Sequence, residues 1–336
     1  MMHMARWVVV AIAVCVGLVV LSLMLGSSDV GAMDVWMLIT GGETDRITRV
    51  IVLDSRLPRA LAGLLAGAAL GVAGLQMQTI FRNPLAGPYV LGVSAGAGLG
   101  VAVVTLGGAA WGLALGPWTT AIAALIGAAG VLLLVLLVAA RVEDSVTVLI
   151  VGLMVAAFAS AAVSILEYFA TAEQLQTFVF WTFGSLGGVT GAKLGVLAVL
   201  SVLGIGVAAF LVKPLNAWLL GERYARTMGV PVTGVRWAAF ASTSLLAGGV
   251  TAFCGPIAFV GLAVPHVARA LTGSADHRVL LPACVLIGGA LLLVCDLVAR
   301  LPGSPLQLPI NAVTSLVGAP FVIAIIVRGR RMARFF

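Results

Sequence analysis

The chain has 336 residues, of which 62% are hydrophobic and only 9% are charged, and its formal net charge is +7. Soluble domains carry about 25% charged residues, so this composition excludes an ordinary soluble protein and predicts an integral membrane protein. The basic excess does not indicate a nucleic-acid partner, because most basic residues stand in short loops and in the C-terminal tail, as is typical of membrane proteins.

Long apolar runs recur along the whole chain. A bilayer core about 30 Å thick needs roughly 20 apolar residues per helix, so the runs predict about ten transmembrane helices in an all-α fold. No stretch is left for a soluble unit, and we expect one transmembrane domain over residues 1–336. The predicted spans lie near Trp7–Leu25, Arg59–Ile80, Tyr89–Leu106, Trp118–Ala140, Val146–Glu167, Leu194–Val212, Trp237–Phe253, Phe259–Leu271, Val279–Arg300 and Ile310–Val327.

The basic residues predict the orientation. An even number of spans places both termini on one side, and basic residues accumulate on the cytoplasmic side. Cytoplasmic termini place 13 of the 19 basic residues inside. These are Arg6, Arg82, Arg141, Lys213, Arg223, Arg226, Arg236, Arg269, Arg278, Arg328, Arg330, Arg331 and Arg334. Residues 26–55 then form an external loop with a short surface helix, and residues 213–235 form the longest basic cytoplasmic loop.

Glycine spacing indicates how the helices pack. Glycines recur at every fourth position from Gly63 to Gly71 and again from Gly92 to Gly100. Small residues at this spacing let the backbones of membrane helices approach closely. We therefore expect a compact bundle.

Three segments, 82–88, 255–265 and 301–309, carry proline and glycine at membrane depth or at its edge. Backbone that leaves a helix inside a bilayer must be buried in protein or line a cavity. This pattern favours a transporter over a membrane anchor.

Cysteine and histidine do not indicate a metal site. The four cysteines stand in apolar segments without C-x-x-C spacing, so we expect small core residues and no disulfides. The three histidines are far apart in the sequence. Any metal that this protein handles would arrive already chelated.

A series of short motifs runs through nearly the whole chain. They are Arg56–Arg59, Gln78–Ala86, Leu91–Ala97, Trp181–Leu186, Gly221–Val230, Gly255–His266, Asp276–Arg278, Asp296–Arg300, Leu308–Pro309 and Gly318–Phe321. In these motifs and their order the chain resembles the FecCD family, the permease subunits of ABC importers for iron siderophores, haem and cobalamin. Two positions depart from the family pattern, since Gln307 stands where the family usually has Glu and Asn311 where it usually has Gly.

The resemblance implies an assembly in the bacterial inner membrane. A cobalamin-importer-like permease of about ten helices would pair with a second permease subunit, identical or different, and with two cytoplasmic ATP-binding subunits. An external binding protein would deliver the substrate. The chain contains no G-x-x-x-x-G-K-[ST] phosphate-binding loop, so ATP and Mg would be bound by the partner ATPase. We expect no cofactor in this chain and no enzymatic activity.

The cytoplasmic loop 213–235 resembles the segment through which the family couples to its ATPase. The residues that the resemblance assigns to coupling are Gly221, Glu222, Arg223, Ala225, Arg226 and Gly229. We expect the charged residues on one side of a short helix and Leu219, Leu220 and Met228 on the other. The alternative is a solvated loop helix without a partner.

Three arginines are predicted at the external face. In the family, residues matching Arg56, Arg59 and Arg300 receive acidic residues of the binding protein. The alternative is that each side chain only snorkels from a helix end to the interface. Asp296 and Arg300 are four residues apart, which favours an ion pair within one helix.

Two further expectations concern the cytoplasmic half. Ser145 and Thr147 resemble the cytoplasmic gate region of the family, although Ser and Thr at helix starts are commonly caps. His266 lies in a span, where an ionisable group raises the question of a haem or metal ligand. Because the Pro265–His266 pair belongs to the family pattern for different substrates, we expect a structural hydrogen bond.

We therefore predict a permease for an iron(III)-siderophore or a related metal chelate, with haem and cobalamin as alternatives. A membrane-embedded enzyme would need clustered catalytic side chains, and the sequence offers only Asp276 beside His277 and the isolated Glu167 and Glu173. A proton-coupled transporter would need ionisable residues in mid-span, and Asp296 near a span end is the only approximation.

Overall fold

A computed structural model describes residues 2–26, 30–42, 44–108, 116, 118–142, 145–300 and 306–328. These residues form α-helices joined by short connections, and no strand occurs in them. The helices are α1 (Met2–Met24), α2 (Ala32–Thr40), α3 (Arg46–Val50), α4 (Leu57–Ile80), α5 (Val93–Leu106), α6 (Thr119–Ala139), α7 (Ser145–Phe169), α8 (Ala172–Thr182), α9 (Ala192–Phe210), α10 (Val212–Trp218), α11 (Glu222–Thr227), α12 (Val232–Cys254), α13 (Val260–Thr272), α14 (His277–Ala299) and α15 (Ile310–Arg328).

The ten predicted spans all coincide with helices. Seven helical segments of the described chain are long and apolar enough to cross a membrane. They are Arg6–Met24, Arg46–Ile80, Thr119–Ala139, Val146–Phe169, Ala192–Phe210, Val232–Cys254 and His277–Ala299. The other three predicted spans correspond to α5, α13 and α15.

The segment 26–55 contains the expected short helix, but its second half is also helical, which was not predicted. It contains α2, and α3 continues through a π-helical turn, Ile51–Arg56, directly into α4. The helical segment thus begins at Arg46, well before the predicted start at Arg59. Helix α8 is a further element that the apolar runs did not predict.

Two of the predicted backbone breaks are present. Helix α4 ends at Ile80, and a 3-10 helix, Pro88–Leu91, precedes α5. The second break covers only 255–259, because Pro265 lies inside α13. Ala86 and Ile257 in these breaks are both buried, as irregular backbone in a bilayer requires. In the third segment, residues 301–305 lie outside the described residues.

Helices α4 and α12 form the centre of the bundle. In α4, 83% of the most apolar stretch is buried, and in α12 the share is 78%. Helix α4 packs against α14, α12, α13 and α9. Its Gln76 amide donates to Ser242 Oγ on α12 at 3.1 Å and accepts from Thr243 Oγ1 at 3.0 Å.

Lipid-facing helices surround this centre. In α1, α6, α7 and α9 only 17–22% of the most apolar stretch is buried. Large apolar side chains such as Phe158 and Phe210 are exposed on them. Such surfaces suit a hydrocarbon solvent and would be rare on a soluble monomer.

The glycine prediction is confirmed at the helix contacts. A Cβ atom at Gly67 would overlap the carbonyl oxygen of Gly288 on α14, and one at Gly288 would overlap that of Gly67. Gly96 and Gly127 form the corresponding contact between α5 and α6. Gly63, by contrast, has only ordinary side-chain neighbours.

Candidate functional site

Helix α4 runs the length of the bundle and spans roughly 36 Å at 1.5 Å per residue. Arg56 and Arg59 lie at its beginning, together with Arg300 from α14, and we call this region the arginine end. Helices α10 and α11 lie beside its last residue, Ile80, and we call that region the α11 end. The residues predicted for docking and for coupling are thus separated by the thickness of the bundle.

Arg56 lies inside the arginine end. Its side chain is only 5% exposed, and Nη1 donates to the carbonyl oxygens of Leu23 at 2.6 Å and Met24 at 3.1 Å. The last carbonyls of a helix have no partner within the helix and carry partial negative charge. Arg56 therefore caps the C-terminal end of α1.

Arg300 of α14 also caps the C-terminal end of α1. It is 4% exposed, and its Nη1 donates to the carbonyl oxygens of Ser22 and Leu25, both at 3.0 Å. Its Nη2 contacts Ser22 Oγ and lies 2.9 Å from Asp296 Oδ2. The ion pair expected from the spacing of Asp296 and Arg300 is confirmed.

Arg59 is the most accessible of the three arginines. Its Nε donates to Asp296 Oδ1 at 2.9 Å and its Nη1 to Gln307 Oε1 at 3.1 Å, and the side chain is 14% exposed. Gln307, where the family usually has a carboxylate, thus still accepts a hydrogen bond from Arg59. The contact is a hydrogen bond to an uncharged amide and not an ion pair.

The structure brings the three arginines to one end, but it does not expose them as predicted. The guanidinium groups of Arg56 and Arg300 point inward, because the carbonyls of α1 and the buried carboxylate of Asp296 accept from them. Arg56 and Arg300 are thus buried, so their side chains do not present free charge at the external face. A docking role at this end stays a prediction and depends on Arg59.

Helix α11 is a short helix bounded by glycines. Gly221 before it has φ 109° and Gly229 after it has φ 81°, backbone conformations that side chains disfavour. Arg223 and Arg226 are exposed, as are Leu220, Tyr224 and Met228. Charged and apolar side chains therefore share the exposed surface, which corrects the expected separation into two sides.

Ala225 faces the bundle and is fully buried. It packs in a core cluster that also includes Trp218 of α10 and Val232 of α12. Among the residues assigned to coupling, Ala225 therefore anchors α11 and cannot itself touch a partner.

Helix α10 ties this end to two long helices, a connection that the sequence analysis missed. Trp218 Nε1 donates to Ile80 O at 3.3 Å. Asn216 donates to Asp276 Oδ1 at 2.6 Å and accepts from the backbone N–H of His277 at 2.8 Å. No local pattern marks Asn216, because its partners are about 60 residues away.

Asp276 caps the beginning of α14. Burial acts to raise the pKa of its carboxyl group, but hydrogen bonds from the Arg278 backbone N–H and the Asn216 amide and the charge of Arg278 outweigh it. The pKa of Asp276 is consequently held below its usual range, and the carboxylate stays charged at neutral pH.

A cavity of about 770 Å³ opens between α11, the end of α4 and the beginning of α7. Its lining includes Ile80, Arg82, Val146, Glu222 and Tyr224. The predicted gate residues begin α7 beside it. Thr147 is exposed, the side chain of Ser145 lies outside the described part of the chain, and their gate role stays a prediction.

His266 makes the structural hydrogen bond that we expected. It is buried, and Nε2 lies 2.8 Å from the carbonyl oxygen of Pro84 in the break after α4. All four cysteines are free and buried, which confirms them as core residues. In the described parts of the chain, no group of three or more His, Cys, Asp or Glu could hold a metal ion.

Comparison with known proteins identifies the family of this chain. The sequence model of the FecCD transport family matches residues 13–328. The vitamin B12 import system permease protein BtuC of Escherichia coli O9:H4 (strain HS) is 38% identical over 283 residues, or 84% of this chain and 85% of that protein. BtuC of Klebsiella pneumoniae subsp. pneumoniae is 39% identical over 284 residues, or 84% of each chain.

Solved structures agree with this match. A metal-chelate type ABC transporter in an inward-facing conformation has a TM-score of 0.84 and 30% identity, covering 96% of this chain and 99% of that chain. PsaBC from Streptococcus pneumoniae shares the fold alone, with a TM-score of 0.58 and 15% identity over 88% of this chain and 95% of that chain. The predicted all-α permease fold is confirmed, and the chain belongs to the FecCD transport family.

Proposed function

We propose that this chain is the transmembrane permease subunit of an ATP-driven importer for a metal chelate. The observation that carries the proposal is the similarity over 96% of the chain to a metal-chelate type ABC transporter. The chain does no chemistry on its cargo. A second permease subunit would complete the pathway, two ATPase subunits would drive it, and a binding protein would deliver the substrate.

Helix α11 is the proposed seat of the ATPase. It presents Arg223, Tyr224 and Arg226 to the outside while buried Ala225 fixes it to the bundle. A mixed basic and aromatic surface is typical of protein interfaces. A firmly anchored helix can also pass on a displacement that a solvated loop would absorb.

The proposed orientation places the α11 end in the cytoplasm and the arginine end outside the inner membrane. Exposed residues near each end offer labelling sites, Met33 on α2 and Met228 after α11. A membrane-impermeant maleimide should label Met33→Cys in intact spheroplasts and Met228→Cys only after permeabilisation. Labelling in the reverse pattern would overturn the orientation.

The similar proteins determine which candidate substrate we propose first. The sequence motifs alone predict an iron siderophore first, but the similar permeases named above are vitamin B12 import proteins at 38–39% identity. We therefore propose a corrinoid as the first substrate to test, with ferric siderophores and haem as the other candidates.

Reconstitution of the complete importer tests the function. The permease would be placed in liposomes with its cognate ATPase and binding protein, and uptake of radiolabelled cyanocobalamin would be measured with ATP inside. We expect uptake that stops when a non-hydrolysable ATP analogue replaces ATP. ATP-dependent uptake of a ferric siderophore or haem instead would change the substrate, and uptake of none of the three would overturn the proposal.

A further inference from the structure

Arg236 joins three parts of the α11 end. It lies near the beginning of the central helix α12, and its side chain is 4% exposed. Nη2 lies 2.9 Å from Oε1 of Glu222, the first residue of α11. Nη1 donates at 3.3 Å to the carbonyl oxygen of Val142, three residues before the beginning of α7 at Ser145.

The chemistry of arginine makes this contact rigid. The guanidinium is planar, always charged and carries donors in fixed directions, so one group can hold a carboxylate on one side and a carbonyl on another. A buried charge that loses its acceptors is strongly unfavourable. Glu222 and Val142 are therefore held in a fixed relation to each other.

Other contacts of Glu222 do not provide the same link. Arg226 lies 3.4 Å from Glu222 Oε1, but it is 56% exposed and belongs to α11 itself. Glu222 of α11 and Val146 of α7 both line the cavity of about 770 Å³. Arg236 is the residue whose contacts connect Glu222 of α11 to Val142, shortly before α7.

We propose that Arg236 is a positioning residue that transmits displacement of α11 to the beginning of α7. The inference rests on the proposed function, in which the ATPase moves α11. A shift of Glu222 carries the guanidinium with it, and the guanidinium in turn carries Val142 and the first turn of α7. The nucleotide-driven motion thereby reaches the helix that begins with the predicted gate residues.

The test compares Arg236→Gln with a matched variant in the reconstituted importer. Arg269→Gln is the control, because Arg269 on α13 is equally buried and donates to Gln78 Oε1 at 2.6 Å. For Arg236→Gln we expect ATP hydrolysis to continue and import per ATP to fall roughly tenfold, within the range of couplings between protein sites. Arg269→Gln should keep the wild-type ratio, and Arg236→Lys should not restore it.

Spin-label distances give a readout that a purely structural residue would not change. Labels would be placed at the exposed positions Met228 beside α11, Ile150 on α7 and Ile126 on α6. In the wild-type complex, ATP should leave the 228–150 distance constant while both distances to 126 change. In Arg236→Gln the 228–150 distance should change, because α11 moves without α7.

The outcomes separate the two proposals. Absence of ATP-dependent import by the wild type would overturn the proposed function. If the wild type imports normally and Arg236→Gln keeps the wild-type ratio of import to ATP hydrolysis, the proposed role of Arg236 is overturned. If Arg236→Gln does not fold, the wild-type distances decide, and a 228–150 distance that changes with ATP contradicts the inference.

Discussion

The two ends of the bundle use the same type of residue in opposite ways. At the arginine end, Arg56 and Arg300 are buried and their donors are bound to carbonyls and a carboxylate of the same chain. At the α11 end, Arg223 and Arg226 are exposed, and Arg226 has a long contact to Glu222. Arginines of the first kind hold the chain together, whereas those of the second kind remain available to a partner.

The difference shows that counting basic residues near helix ends does not identify a docking surface. Arginines lie near both ends, but at the arginine end the carbonyls that end α1 bind Arg56 and Arg300 within the chain. Mutations should therefore affect folding at the arginine end and assembly at the α11 end. The following substitutions test that division.

Asp296→Ala should cause the largest loss of stability. Asp296 is the carboxylate partner of both Arg59 and Arg300, and its removal leaves buried positive charge without compensation. Breaking a buried ion pair from one side costs about 3–5 kcal/mol, so the yield of monodisperse protein in detergent should fall sharply. An elution profile like that of the wild type, with an unchanged melting temperature, would show that the network contributes little.

Arg56→Ala should destabilise the protein by less. The substitution removes the donor for the carbonyls of Leu23 and Met24, and a buried unsatisfied acceptor costs about 1–3 kcal/mol. The melting temperature should fall, and proteolysis should cut first in the segment after α1. Arg56→Glu would place a carboxylate against these carbonyl oxygens, so Arg59 is the more suitable site for charge reversal in docking experiments.

The sequence predicted the helices better than it predicted the roles of their polar residues. Apolar runs are local, so the positions of α4, α7 and α14 could be predicted from composition alone. The ion pair of Asp296 and Arg300 was also predictable, because both residues lie on one turn of one helix. The helical continuation from Arg46 into α4 was missed, since a polar stretch is typical of a loop until its tertiary contacts are known.

Long-range contacts explain the remaining errors at the candidate sites. Arg56 bonds to carbonyls about 32 residues away and Arg300 to carbonyls about 278 residues away, and backbone acceptors leave no pattern in a sequence. The burial of Ala225 follows from the fold of α10 and α12 around it. A bulky residue at Ala225 would consequently disturb the permease itself and would not isolate contact with the ATPase.

Gln307→Glu should have a small stabilising effect that depends on salt. It gives Arg59 a charged acceptor in place of the amide at 3.1 Å, and an exposed pair contributes about 0.2–1 kcal/mol. The gain in melting temperature should shrink in high salt because the pair is partly screened. The association rate with the external binding protein gives a second measurement that sharpens the comparison. Slower association of Gln307→Glu would indicate that Arg59 meets an acidic partner. Unchanged association would remove Arg59 from the docking site.

Arg226→Ala should have the smallest effect on stability of the four substitutions. Its contact with Glu222 is 3.4 Å long, spans one helical turn and is largely exposed, and such pairs stabilise a helix by only about 0.2–0.5 kcal/mol. The melting temperature of the isolated permease should therefore stay within error of the wild type. Affinity for the ATPase should nevertheless fall, because the lost guanidinium belongs to the surface that we propose as the ATPase seat.

Asp296→Ala and Arg226→Ala should therefore have opposite effects. Asp296→Ala at the arginine end should give unstable protein, whereas Arg226→Ala at the α11 end should give stable protein that binds the ATPase weakly. Titration of the ATPase against Arg226→Ala permease in nanodiscs measures the assembly, and Lys193→Ala serves as control because Lys193 lies at the first turn of α9, outside α11. If Arg226→Ala assembles with wild-type affinity while the permease melts at a lower temperature, Arg226 is a structural residue and the division between the two ends fails.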